Sequence, residues 1–143
     1  LGLRVADIGC GSGILGITAL SLGAKEVFAI DIDALAIRST LENFSINDFK
    51  NPNLFAFKGS IEVLKSNLKK QSVDLLLCNI LSPVIKELSP EFSSVIAPHG
   101  RALLSGLLQN QVMEISDYLQ SLGWRIIRKW DKENWALLEI CRN

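Results

Sequence analysis

Short apolar runs alternate with segments of helical period along most of this chain. Arg4–Ile8 reads as a first buried strand and Ile14–Leu22 as the helix after it, with Gly23 as its left-handed end. Glu26–Ile30 is a second strand, closed by Asp31. Asp33 then has the side chain of an N-cap, and Leu35, Ile37, Leu41 and Phe44 behind it fit a 3.6 period. Asn53–Phe57 reads as a third strand and Ile61–Leu68 as a short helix. Val73–Cys78 is a fourth strand, so nearly apolar throughout that both its faces are expected to be covered. Ser82-Pro83 and Ser89-Pro90 each look like an N-cap with proline at the first helical position, which predicts a broken helical stretch. Pro98-His99-Gly100 reads as a turn and Ala102–Ser105 as a fifth strand. Val112, Ile115, Leu119 and Leu122 mark a last helix, ended by Gly123. Trp124–Trp130 and Trp135–Cys141 are two final strands, and the short polar segment Asp131–Asn134 between them predicts an antiparallel hairpin.

Strand and helix in alternation imply an α/β fold, Rossmann-like: a mostly parallel sheet with helices on both faces, completed to seven strands by the terminal hairpin. At 143 residues, without internal repeat or linker, the chain is expected to be one domain. It begins Leu1-Gly2-Leu3, almost directly at the first strand, which suggests a catalytic domain whose N-terminal neighbour is absent.

Composition narrows the function. Fifteen Lys and Arg balance fifteen Asp and Glu, so no broad basic face is available, and direct nucleic-acid binding is not expected. No apolar run reaches the ~18 residues that span a bilayer, which argues against a membrane protein. Cys10, Cys78 and Cys141 are odd in number and widely spaced. They indicate neither a zinc site nor a disulfide framework, and read as small apolar residues in a reducing cytoplasm.

The chemistry gathers after the first strand, in Asp7-Ile8-Gly9-Cys10-Gly11-Ser12-Gly13. In a doubly wound sheet, ligands sit at the carboxyl ends of the strands near the point where strand order reverses. Two registers compete. Gly11-x-Gly13-x-x-Gly16 formally matches a dinucleotide fingerprint, but that motif starts at the end of its strand. The first strand ends at Gly9, so the working register is Gly9-x-Gly11-x-Gly13, and Gly16 falls inside the helix, where it serves close packing. Asp7 would repel a pyrophosphate. It suits a sulfonium and an α-ammonium, both carried by S-adenosyl-L-methionine. Asp31, about twenty residues on at the end of strand two, can accept hydrogen bonds from both ribose hydroxyls. Asp33 is the better helix cap.

Asn79 is a polar residue following an apolar strand, at the rim where a methyl acceptor would lie. Its amide oxygen could accept an N–H from an amine and aim the amine lone pair; the plainer reading is a turn residue. His99, in a Pro-Gly turn, reads as exposed. Trp124, Trp130 and Trp135 read as hairpin packing rather than substrate stacking, and Lys65–Lys70 as a solvated helix end.

The run Asp7–Ile17 with its Gly-Cys-Gly-Ser-Gly-Ile-Leu wording, the later Ala29-Ile30-Asp31-Ile32-Asp33, and Asn79-Ile80-Leu81 resemble the bacterial ribosomal protein L11 methyltransferase family. Leu103-Leu104-Ser105-Gly106-Leu107-Leu108 is similar as well. The resemblance implies a class I methyltransferase fold, S-adenosyl-L-methionine as cofactor, and methylation of lysine and α-amino groups of a large-subunit ribosomal protein in the cytoplasm. It further implies that Gly9 and Asp31 contact the cofactor, and that Asn79 contacts it or frames the acceptor. Gly11 and Gly13, which with Gly9 shape the methionine pocket, and Asp7, which supports that loop, complete the expected cofactor-binding set, with no metal. The chain departs from the wider class at Gly59-Ser60, where many relatives have an acid near the adenine, and at Pro98-His99-Gly100, where they have Pro-Gly-Gly. Two rivals stand beside this reading: a methyltransferase for another amine in a protein, small molecule or nucleic acid, and a cofactor-binding fragment without activity.

Overall fold

Successive residues of a strand face opposite sides of its sheet, and the strand sequences here supply apolar side chains to both. The computed structural model describes residues 2–50 and 53–143; Leu1 lies outside them. Seven strands, β1 (Arg4–Ile8), β2 (Glu26–Asp31), β3 (Leu54–Lys58), β4 (Val73–Asn79), β5 (Ile96–Leu108), β6 (Trp124–Lys132) and β7 (Trp135–Arg142), form one sheet in the order β3-β2-β1-β4-β5-β7-β6. Strands β1 to β5 pair in parallel, whereas β7 runs antiparallel to both β5 and β6. The helices are α1 (Ile14–Ser21), α2 (Ala34–Ser45), α3 (Ile61–Asn67), α4 (Ser82–Leu88), α5 (Phe92–Val95) and α6 (Val112–Ser121).

On one face Ala6, Ile8, Phe28, Ile30, Leu76, Cys78 and Leu104 are covered by Ile61 and Leu64 of α3, Ile85 of α4, and Ile115 and Leu119 of α6. On the other face Val5, Val27 and Leu77 meet Leu15 and Ile17 of α1 and Phe44 of α2. Strand order reverses between β1 and β4, which opens a crevice at their carboxyl ends. The expected α/β architecture, the seven strands and the terminal hairpin are all present.

Several local expectations change. Asp33 caps α2 as read, accepting from Leu35 N at 2.9 Å. Its helix, however, buries Thr40, while Leu35 and Leu41 stay exposed. The reason is what α2 faces: part of its surface meets the backbone of the loop after β1, where the Thr40 hydroxyl donates to Gly11 O at 3.0 Å. Ser82 is not a cap; Leu81 holds that position, and Pro83 falls in the first turn, where a missing N–H breaks no intrahelical bond. Ser89 likewise donates to Lys86 O within a 3-10 turn (Ser89–Glu91) that breaks the helix as expected. Pro98-His99-Gly100 lies inside β5, not before it. Val73 pairs with Ile96 and Leu75 with Arg101, so the predicted turn is an irregular bulge that absorbs a proline unable to donate to the ladder. Strand β6 runs on to Lys132, and the hairpin closes through Glu133 and Asn134 alone, with Glu133 at φ +54.

Gly16 performs the packing role read from the sequence. A Cβ there would lie 2.9 Å from Val27 Cγ1 and 3.2 Å from Asp7 Oδ2. Gly16→Ala is therefore expected to destabilise the domain by roughly 1–3 kcal/mol, the usual cost of overpacking, despite alanine's better helix propensity. Urea unfolding of the two proteins checks this; equal or greater stability of the variant contradicts it.

Candidate functional site

The turn from β1 into α1 is made of backbone. Gly9 (φ +71), Gly11 (φ +53) and Gly13 (φ +85) all occupy the left-handed region, where any other residue is strained. Gly9 N and Cys10 N both donate to Ile30 O, at 2.9 and 3.0 Å, which ties the turn to the end of β2. At Gly9 the space is also closed, since a Cβ would lie 2.5 Å from Ile80 Cγ2.

Two carboxylates hold this loop. Asp31 at the end of β2 accepts from Gly11 N at 3.0 Å through Oδ2 and from Asp33 N at 2.9 Å through Oδ1. Asp7 is buried beneath the loop, and its Oδ2 accepts from Gly16 N at 3.0 Å. Burial is the main cause that raises the Asp7 carboxyl to about 6; the Gly16 hydrogen bond pulls it down and the nearby Asp31 charge pushes it up. Burial also raises the Cys10 thiol to about 11 and the Cys78 thiol to about 12, so neither serves as a thiolate nucleophile near neutral pH.

Above the loop lies a cavity of about 460 Å³ whose walls include Gly9, Asp31, Ile32, Gly59, Ser60 and Ile80. Ile32 and Leu81 show their side chains to it and are otherwise exposed. Asn79 does not line this cavity. It lines a second one, of about 430 Å³, with Ile80, Leu81, Ser105, Gly106 and Trp135. Ile80 and Leu81 belong to both, so the two spaces share a wall.

The structure therefore brings Gly9 and Asp31 to one cavity, sets Gly11 and Gly13 in the loop beside it, puts Asp7 under that loop, and carries Asn79 to the adjoining cavity. Sequence reading missed three participants. Ile80 and Gly106 gave only the signal of sitting in quoted motifs. Trp135 was assigned to packing but is half exposed at the second cavity, unlike Trp124, which is buried in the core. His99 is exposed, 3.7 Å from Asp74. Among the described residues no three His, Cys, Asp or Glu side chains come together in a way that could hold a metal ion.

Comparison with known proteins meets this geometry directly. The family described as ribosomal protein L11 methyltransferase (PrmA) matches residues 2–143. The chain belongs to that family. A curated L11 methyltransferase of Prochlorococcus marinus is 53% identical over the whole of this chain and 47% of its own length. One from Parasynechococcus marenigrum is 49% identical over 99% of this chain and 49% of its own. The chain thus spans about half the length of the curated L11 methyltransferases it matches. The crystal structure of a ribosomal protein L11 methylase from Lactobacillus delbrueckii subsp. bulgaricus superposes with a TM-score of 0.91 at 31% identity, covering 99% of this chain and 71% of that one. The magnesium protoporphyrin IX methyltransferase of Synechocystis shares the fold, with a TM-score of 0.80 at 19% identity over 99% of this chain and 71% of that one.

The Asp7 carboxyl gives the loop a pH signature. The folded chain holds this proton up to about pH 6 and the unfolded chain only to about 3.8. Stability from this group is therefore complete below pH 4 and is lost as pH rises through 6, by at most about 3 kcal/mol. Asp7→Asn keeps an oxygen for Gly16 N but does not titrate. Wild type is expected to lose stability relative to this variant between pH 4 and 6.5 in urea unfolding, and parallel pH curves for the two proteins would contradict it.

Proposed function

We propose that this chain is the catalytic domain of an S-adenosyl-L-methionine-dependent protein N-methyltransferase that methylates lysine and α-amino groups of ribosomal protein L11 in the cytoplasm. The observation that carries the cofactor assignment is the state of the Asp31 carboxylate. It offers about four lone-pair positions, and Gly11 N and Asp33 N engage it at 3.0 and 2.9 Å. Two positions remain at the edge of the 460 Å³ cavity, enough for the two hydroxyls of a ribose. The exposed aliphatic walls at Ile32, Leu81 and Val84 suit the faces of a purine. Gly9 brings bare backbone beside them, where a methionine chain would lie. Asp7 acts one layer below, through the start of α1. These features fit S-adenosyl-L-methionine, and family membership supports the same reading.

When bound, the cofactor supplies an electrophilic methyl on a sulfonium, a group that needs no acid assistance to leave. The chain's own contribution is therefore placement. Asn79 stands at the end of β4, facing the second cavity, with its backbone paired across to Ser105. Its Oδ1 can accept one N–H of a neutral amine and point the lone pair across the Ile80 wall toward the first cavity. The amine nitrogen held by Asn79 would take up the methyl carbon and release a proton to solvent. Two rivals remain distinct in outcome: another amine as substrate, or cofactor binding without transfer.

Asp31→Ala removes the ribose acceptor and one tether of the glycine loop together. Hydrogen bonds to a charged group contribute roughly 1.5–3 kcal/mol, so the dissociation constant for S-adenosyl-L-methionine is expected to rise about 10- to 150-fold, read by calorimetry. An unchanged constant would sink the ribose assignment.

Asn79→Ala separates chemistry from binding. Single-turnover methyl transfer to ribosomal protein L11 is expected to fall by ~10²-fold, the usual loss for one oriented catalytic hydrogen bond, while the cofactor dissociation constant changes less than about tenfold. Cofactor binding without transfer by wild type would favour the binding-only rival. A rate within twofold of wild type for the variant would make Asn79 a turn residue.

A further inference from the structure

We infer that Gly106 is a positioning residue for methyl transfer: the absence of a side chain there lets β5 seat against the Asn79–Ile80 segment and fixes where the Asn79 amide points. This inference rests on the reading of Asn79 given above.

The pairing of β5 with β7 slips between Leu104 and Leu107, which meet Leu138 and Ala136, so β5 carries one extra residue there. Gly106 sits in this bulge at φ +78. Bulges of this kind re-aim strands next to functional sites. Here the bulge turns Gly106 onto the end of β4. A Cβ at position 106 would lie 2.7 Å from the Ile80 carbonyl oxygen and 3.1 Å from Asn79 Oδ1. The first contact is with backbone and no rotamer change relieves it; the second is relieved by turning the Asn79 amide, the group assigned to the substrate.

Ile80 is gripped from the opposite side as well, where a Cβ at Gly9 would lie 2.5 Å from its Cγ2. The residue that divides the two cavities is thus held between two glycines, one from the loop after β1 and one from the β5 bulge. Cofactor loop, dividing wall and acceptor cavity form one contiguous stack of close contacts. A methyl group at position 106 must displace the Ile80 peptide and the Asn79 amide by several tenths of an ångström. In-line transfer is sensitive to shifts of that size.

The test uses the full chain, three single variants at positions 106 and 123, and the Asn79→Ala background. Gly106→Ala adds the Cβ at a strained φ. Gly106→Asn adds the same Cβ with a residue that tolerates the left-handed region better. Gly123→Ala is the control, because Gly123 has φ +87 but nothing within 4 Å of its Cβ position. Single-turnover methyl transfer to ribosomal protein L11 is expected to fall ~10- to 100-fold in both position-106 variants and to stay at the wild-type rate in Gly123→Ala. In an Asn79→Ala background, Gly106→Ala is expected to cost clearly less than it does in wild type, since one of the two groups it displaces, the amide, is gone and only the Ile80 peptide remains. The side-chain amide resonances of Asn79, identified by their disappearance in Asn79→Ala, are expected to move in the position-106 variants and not in Gly123→Ala. This readout needs neither cofactor nor transfer. If Gly106→Ala does not fold, Gly106→Asn carries both readouts. A wild-type rate in Gly106→Asn, unmoved Asn79 resonances, or a full additional loss in the Asn79→Ala background would each overturn the inference. Absence of transfer by wild type would instead overturn the proposed function.

Discussion

The peptide groups of the glycine loop are the constraint on which the rest of this domain depends. Three alternate positions at positive φ leave a chain with little intrinsic preference for one shape, and it is held from outside. The Ile30 carbonyl takes Gly9 N and Cys10 N, Asp31 takes Gly11 N, and Asp7 takes Gly16 N from below. Thr40 closes the remaining side by donating to Gly11 O. These partners come from β1, β2 and α2, so the loop has its shape only when those elements are assembled.

The same contacts explain why the acids near the loop have different characters. Asp31 keeps an open edge toward the cavity and uses half its acceptor capacity, on Gly11 N of the loop and on Asp33 N before α2. Asp7 is enclosed, and burial drives its proton affinity up to about 6. Asp7 thus serves the helix start as a buried support, while Asp31 on the adjacent strand keeps an edge open to the cavity. Position in the sheet decides which is which: Asp7 faces α1 from within the strand, and Asp31 stands at the strand end.

The two cavities follow from one crossover. Strand β4 ends beside β1 where the sheet order reverses, so the residues after Cys78 pass directly between the loop after β1 and the bulge of β5. Asn79 falls on one side of that passage and Ile80 in its middle. Trp135 reaches the second cavity because β7 inserts between β5 and β6 rather than lying outside them.

The sequence by itself determined the element order, the parallel sheet with its terminal hairpin, the glycine register beginning at Gly9, the cap at Asp33 and the places of Asp31 and Asn79. These are local properties: period, turn chemistry and the end of an apolar run are written in neighbouring residues. Even the bulge at Pro98-His99-Gly100 was visible as an interruption, though read as a turn, because an irregularity inside a strand and a turn before it share the same residues. Tertiary structure alone decided that α2 buries Thr40 instead of its leucines, that Trp135 reaches a cavity while Trp124 enters the core, and that Gly106 meets Asn79. Each of these depends on what stands opposite a residue, often dozens of positions away in the chain. Close approach between two backbones is set by the packing of the elements that carry them, and no local pattern records it.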